Sequence, residues 1–139
     1  MSWLHNPSYL DNVSIWGLGV SFFYFSAGVD EGDIIAQQAF NIEEGDSIKE
    51  VLEKAKSASL QVLKDYIPRI AMGTAPRLKQ DHSKATVYPK RSPEDGLINW
   101  DWDLLRIKNF IRAQTKPYPG AFTYINGKKI ILWDADISL

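Results

Sequence analysis

A chain of 139 residues, 45% hydrophobic and 24% charged, has the size and composition of an ordinary soluble globular domain. Its formal net charge of −1 supplies no overall attraction to nucleic acid or to an anionic membrane. With no cysteine and only His5 and His82 as histidines, the sequence excludes disulfides, thiolate nucleophiles and cysteine- or histidine-rich metal centres. The N-terminus lacks a basic-then-apolar signal pattern, and no apolar run approaches the ~20 residues that cross a bilayer. A cytoplasmic location with no membrane partner is therefore expected.

Near the N-terminus, Asn6-Pro7-Ser8 interrupts regular structure, and the spacing of Tyr9, Leu10, Val13 and Trp16 predicts a short helix. Two strands follow, an aromatic-rich one over Val20–Phe25 and a partner over Ile34–Ile42. Their connection, Ser26-Ala-Gly-Val-Asp-Glu-Gly-Asp33, is too long for a tight hairpin, and loops of this kind often carry function. Ser47-Ile-Lys-Glu50 is a capping box that opens a helix. Its core face is Ile48, Val51, Leu52, Ala55, Leu63 and Tyr66; Pro68 is expected to limit it and Gly73 to stop it. Residues 73–99 read as an irregular crossing segment with a short extended piece at Ala85–Tyr88, a length that is uncommon unless it lies across a site or joins subdomains. A second helix is predicted over Leu104–Gln114, with Asp101 or Asp103 at its start. Pro117 and Pro119 then break regular structure, and Ala121–Ile125 and Lys128–Trp133 flank Asn126-Gly127, a strong two-residue hairpin signal.

Asp30, Glu31 and Asp33 put three carboxylates within four residues, beside two glycines. Such a group can hold a carboxylate where a proton must be managed or an amine or water oriented. From composition alone, a polar turn between strands is the favoured expectation. The spacing lacks the ligand pattern of a calcium loop, so no metal is expected. No Gly-x-Ser-x-Gly elbow and no phosphate-cradling glycine loop occurs.

Gly19-Val-Ser-Phe-Phe-Tyr followed by Gly28-Val-Asp-Glu-Gly-Asp-Ile-Ile-Ala-Gln37 resembles the strand–loop–strand of the formyltransferases that use 10-formyltetrahydrofolate, the methionyl-tRNA and sugar N-formyltransferase type. Val87–Trp100, with Ile111-Arg-Ala and Pro117-Tyr-Pro-Gly-Ala-Phe122, is similar to the segment that leads into the C-terminal domain of those enzymes. The resemblance implies that Asp30 is the catalytic aspartate and that Ser26, Ala27 and Gly28 lie against the pterin of the folate. It also implies that Arg91, in an Arg-x-Pro-Glu-Asp stretch, borders an amino-sugar site. A local pairing of Arg91 with Glu94 or Asp95 is the competing expectation, and Arg112, mid-helix, reads as structural. Glu31 stands where the family commonly has threonine, and Ser26 where it commonly has an acidic residue.

The fold expected is α/β: a partial Rossmann-like formyltransferase domain (1–84), a linker segment and helix (85–120), and the opening hairpin of a small β-rich C-terminal domain (121–139). The implied reaction is attack by a substrate amine on the formyl carbon of 10-formyltetrahydrofolate, the co-substrate. The family's asparagine–x–histidine pair has no convincing counterpart: Asn6-Pro7 aligns with a later Asn-Pro, which puts that pair upstream of Met1 and leaves His5 and His82 as bystanders. Partners expected are a small-molecule substrate, a second copy of the chain or a separate N-terminal half, and nucleic acid only if the acceptor is tRNA. A non-catalytic remnant serving as an assembly or small-molecule-binding module is the alternative, and a related folate hydrolase a third reading.

Overall fold

The computed structural model describes residues 17–85 and 88–136. The short helix expected around Tyr9–Trp16, and the centre of the extended piece expected at 85–88, lie outside the described residues.

Strands β1 (Gly17–Phe23) and β2 (Ile34–Asn41) pair antiparallel, from Gly17 opposite Asn41 to Phe23 opposite Ile34. β1 begins and ends earlier than the aromatic run suggests. A bulge between Phe22 and Phe23 breaks the ladder, after which Tyr24 bonds across the loop mouth through its N–H to Asp33 O at 3.0 Å. Phe25 is left wholly exposed.

Helix α1 (Ile48–Ala71) starts at the Ser47 cap: Ser47 Oγ accepts from Lys49 N–H, and Glu50 Oε2 accepts from Ser47 N–H at 2.9 Å. Ser47 Oγ also donates to Glu50 Oε2 at 2.5 Å, and this bond first, then that from Ser47 N–H, holds the Glu50 carboxyl below its ordinary pKa. The helix passes through Pro68 and continues for three residues beyond it, to Ala71. It ends where Gly73 adopts φ 70, with Gly73 N–H donating to Ile70 O and Thr74 N–H to Arg69 O. That pair of bonds is a Schellman stop. The buried face is Ile48, Val51, Ala55, Ala58 and Val62, while Leu63 and Tyr66 are only half-buried at its margin. Val62 packs with Ile35 and Ala36 of β2, and Ile48 and Val51 pack with Ile42.

A second packed unit follows. Asp103 caps helix α2 (Leu104–Gln114), its Oδ1 accepting from Arg106 N–H at 2.9 Å. Strands β3 (Ala121–Ile125) and β4 (Lys128–Leu132) form a hairpin whose turn residues Asn126 and Gly127 both have positive φ, 50° and 74°, as a type I′ turn requires. Ile98, Ile107, Phe110, Ile111 and Ala121 form its core, with Trp102 edge-on to Phe110 at 5.0 Å. Ile98 N–H donates to Phe122 O, so the stretch before α2 is joined to the hairpin.

Among the described residues, the units meet around Arg112 and Tyr118. The Arg112 guanidinium donates to the carbonyls of Glu44 and Asp46, the latter at 3.0 Å, and Tyr118 packs against the Ile42, Ile48 and Val51 cluster. Among the described residues, no helix is long and apolar enough to cross a membrane.

Replacing Ser47 by Ala should cost about 1 kcal/mol in a urea melt, the usual worth of an N-cap. Because the native pKa of Glu50 is depressed, its contribution is present above the unfolded carboxylate pKa and fades as pH falls through the lower native value. Glu50→Gln should therefore flatten the acid side of the stability–pH curve; an unchanged acid limb would refute the assignment.

Candidate functional site

The loop between β1 and β2 holds four of the five residues singled out from sequence. Ser26, Ala27, Gly28 and Asp30 lie within five positions of one another, on a hairpin whose strands are packed against α1. Ser26 Oγ donates to Gly28 O at 3.2 Å, closing the first half of the loop on itself. Asp30 is half-buried and adopts φ 57, a region that costs a non-glycine residue of order 1 kcal/mol. Aspartate is among the residues that enter it with least difficulty.

The two loop glycines differ in what they permit. A Cβ at Gly32 would lie 1.6 Å from the Tyr24 carbonyl oxygen and 2.7 Å from its carbon, both backbone atoms of the loop mouth. Only glycine fits there. A Cβ at Gly28 would instead meet the end of the Glu31 side chain, 1.8 Å from Oε2. The Glu31 carboxylate therefore lies folded over Gly28. The extra charge noted in the sequence is placed directly on the backbone expected to face the pterin.

The far side of the loop rests on a strap, residues 77–80, from the crossing segment. Ile34 and Leu78 exchange both backbone hydrogen bonds, at 2.7 and 3.0 Å, as an isolated antiparallel bridge. Arg77 lies over the Tyr24 ring at 3.8 Å and 3.6 Å from Asp33 Oδ2. Being 63% exposed, Arg77 contributes through that ion pair no more than about 1 kcal/mol. Gln80 donates its side-chain amide to Asp30 O at 2.8 Å and Gly32 O at 2.6 Å. Neither Arg77 nor Gln80 is evident from the sequence, since both act on residues more than forty positions away.

Arg91 belongs to a different local structure. Its Nη2 donates to the backbone oxygen of Asp95, at 3.0 Å, in the 3-10 turn Pro93–Gly96. The local partner expected for it is thus the Asp95 main chain. Arg112 is structural, as its helical position suggested: burial lowers its pKa, opposed by the Asp46 and Glu44 carboxylates, and its protons go to backbone carbonyls. His82 is exposed in the 3-10 turn His82–Lys84. Among the described residues, no group of three or more His, Cys, Asp or Glu side chains could hold a metal ion.

The chain thus has a two-strand, one-helix α/β layer with an acidic glycine loop at the strand ends, followed by a small helix-and-hairpin unit. Residues 90–138 match the formyl transferase C-terminal domain family. The chain is 38% identical over 120 residues to the bifunctional polymyxin resistance protein ArnA of Wigglesworthia glossinidia brevipalpis, a match that covers 86% of this chain and 18% of that protein. The fold is similar to methionyl-tRNA formyltransferase from Clostridium thermocellum, with a TM-score of 0.73 and 27% identity over 94% of this chain and 57% of that one. It is also similar to the N-formyltransferase from Helicobacter canadensis in complex with folinic acid and dTDP-3-aminofucose, with a TM-score of 0.72 and 27% identity over 92% and 46% of the two chains. The chain belongs to the formyltransferase family and spans its later part, between about a fifth and three-fifths of the length of these relatives.

The contrast between the glycines is testable. Gly32→Ala should displace the loop mouth and cost up to about 3 kcal/mol, in the range of overpacking substitutions. Gly28→Ala should need only a new Glu31 rotamer and leave the thermal midpoint nearly unchanged. Equal midpoints for the two variants would contradict the placement of Tyr24 O against Gly32.

Proposed function

We propose that this chain carries the loop carboxylate and part of the folate site of a formyltransferase. In this reading the formyl group passes from 10-formyltetrahydrofolate to the primary amine of an amino-sugar nucleotide, or alternatively of methionyl-tRNA. The single observation that carries it is the construction of the loop: Asp30 is held at positive φ beside Gly28, on a rigid hairpin braced from its far side. A relative at 27% identity, described with folinic acid and dTDP-3-aminofucose, supports the folate and the sugar-nucleotide acceptor. A methionyl-tRNA formyltransferase at equal identity supports the other acceptor.

The chemistry asks three things of a site: a neutral amine, donors for the oxyanion, and a route for a proton. The amine nitrogen bonds to the formyl carbon, the bond from that carbon to N10 breaks, and one amine proton ends on N10. The Asp30 side chain accepts the amine proton or orders the group that relays it. The backbone of Ser26, Ala27 and Gly28 lies against the pterin, with Glu31 swung away from Gly28 when the folate arrives. Arg91 supplies forked donors to anionic oxygens of the acceptor, for which its geometry is suited. Donors for the oxyanion come from the family's asparagine–histidine pair, supplied in the same polypeptide or by another. The same reading assigns 1–84 to the catalytic domain, 85–120 to the connection and 121–139 to the start of the C-terminal domain.

Isothermal titration of the chain with folinic acid should give saturable binding that Gly28→Trp abolishes. With the asparagine–histidine segment present, Asp30→Asn should slow transfer by about 10²–10⁴-fold, the usual worth of a positioned acid–base group, without lowering the thermal midpoint. Absence of folinic acid binding would sink the folate site. Binding without transfer under those conditions would favour the assembly or small-molecule-binding module.

A further inference from the structure

The conformation of Asp30 is held in part from outside its own loop. A positive φ at a non-glycine residue persists only where the surroundings over-determine it. The surroundings here include the side chain of Gln80, fifty residues further along. Its Nε2 donates to the carbonyl of Asp30 at 2.8 Å and to that of Gly32 at 2.6 Å, so the two protons of one amide group span the corner of the loop. The assignment of nitrogen and oxygen follows from the chemistry: both facing groups are carbonyls, which only accept. Gln80 is itself fixed, since it is half-buried and lies two residues after Leu78, which is locked to Ile34 by a pair of backbone hydrogen bonds.

Resting on the reading of Asp30 as the carboxylate of transfer, we propose that Gln80 is the positioning residue for Asp30. By holding the carbonyls of Asp30 and Gly32 it fixes the Asp30–Glu31 and Gly32–Asp33 peptide planes, and with the first of them the direction in which the Asp30 side chain leaves the backbone. The residue type suits the task. Asparagine is a methylene too short to reach both oxygens. Ionised glutamate has no proton to give. Lysine or arginine would reach, but would bring a positive charge beside a carboxylate that must remain basic. A neutral primary amide supplies two donors from one atom and leaves the Asp30 charge uncompensated by the clamp.

The test uses the whole chain in three forms: wild type, Gln80→Leu and Gln80→Glu. In wild type, NMR should show the strong intraresidue amide–Hα contact of a positive-φ residue at Asp30. Gln80→Leu should lose it while the α1 and α2 signals stay in place. With the asparagine–histidine segment supplied, Gln80→Leu should lower kcat by about 10–100-fold, the range set by a misplaced group, and leave KM for the formyl donor within about twofold. Gln80→Glu should behave like Gln80→Leu at neutral pH. It should regain part of the Asp30 signature as pH falls through the carboxylate range, because a protonated carboxyl can donate one of the two bonds. A role limited to stability would move the melting temperature, kcat and KM together and show no pH recovery. An unchanged Asp30 signature in Gln80→Leu, or no recovery in Gln80→Glu, overturns the clamp. If Asp30→Asn itself leaves transfer intact, the reading of Asp30 fails while the NMR arms still decide on Gln80.

Discussion

The Arg112 guanidinium sits where two small units of structure meet, and it ties the second to the turn that opens the helix of the first. Each unit alone is modest: a hairpin with one helix, and a helix with one hairpin. Arg112 reaches from α2 across to the carbonyls of Glu44 and Asp46, in the turn between β2 and α1. A guanidinium is suited to this because its donors are fixed in a plane and its charge survives partial burial. Burial depresses its pKa, yet the Asp46 and Glu44 carboxylates oppose that shift, so the turn that needs the cation also sustains it. Asp46 is tied in the same turn, its carboxylate accepting from Glu43 N–H and from Lys54. Tyr118 adds apolar contact to the same corner, joining the cluster of Ile42, Ile48 and Val51.

What could be read from the sequence was what is decided locally. The Ser47–Glu50 box, the Gly73 stop, the Asp103 cap and the Asn126-Gly127 turn each depend on one side chain, or its absence, acting within a few residues. All were legible for that reason. Strand β1 was less so: Phe22, Phe23, Tyr24 and Phe25 weigh heavily in any propensity argument, whereas the ladder is ended by a bulge and by the needs of the loop mouth. Pro68 lies inside the helix, which ends three residues later, before the Gly73 stop.

The candidate site divides along the same line. The acidic residues and glycines of the loop, the parts that would do chemistry, stand together in the sequence. The parts that hold them do not. Gln80 and Arg112 act on backbone carbonyls 50 and 68 positions away, and a carbonyl is a partner that every residue offers. No residue pattern marks such a pairing. The family resemblance located Asp30; it carried no information about what keeps Asp30 in a left-handed conformation.

The distance along the chain between the loop and its brace has a consequence for assembly. Chain synthesis runs from the N-terminus at roughly 5–20 residues per second, so the loop is made several seconds before Gln80 exists to hold it. The β1–β2 ladder and the first turns of α1 are close in sequence and can form in that interval. The bond from Gln80 to the left-handed corner at Asp30 forms only after the whole of α1 and the strap behind it have been added. The site is thus completed from the outside, by the return of the chain. Any translational pause placed between α1 and residue 80 would prolong the time the loop spends unbraced.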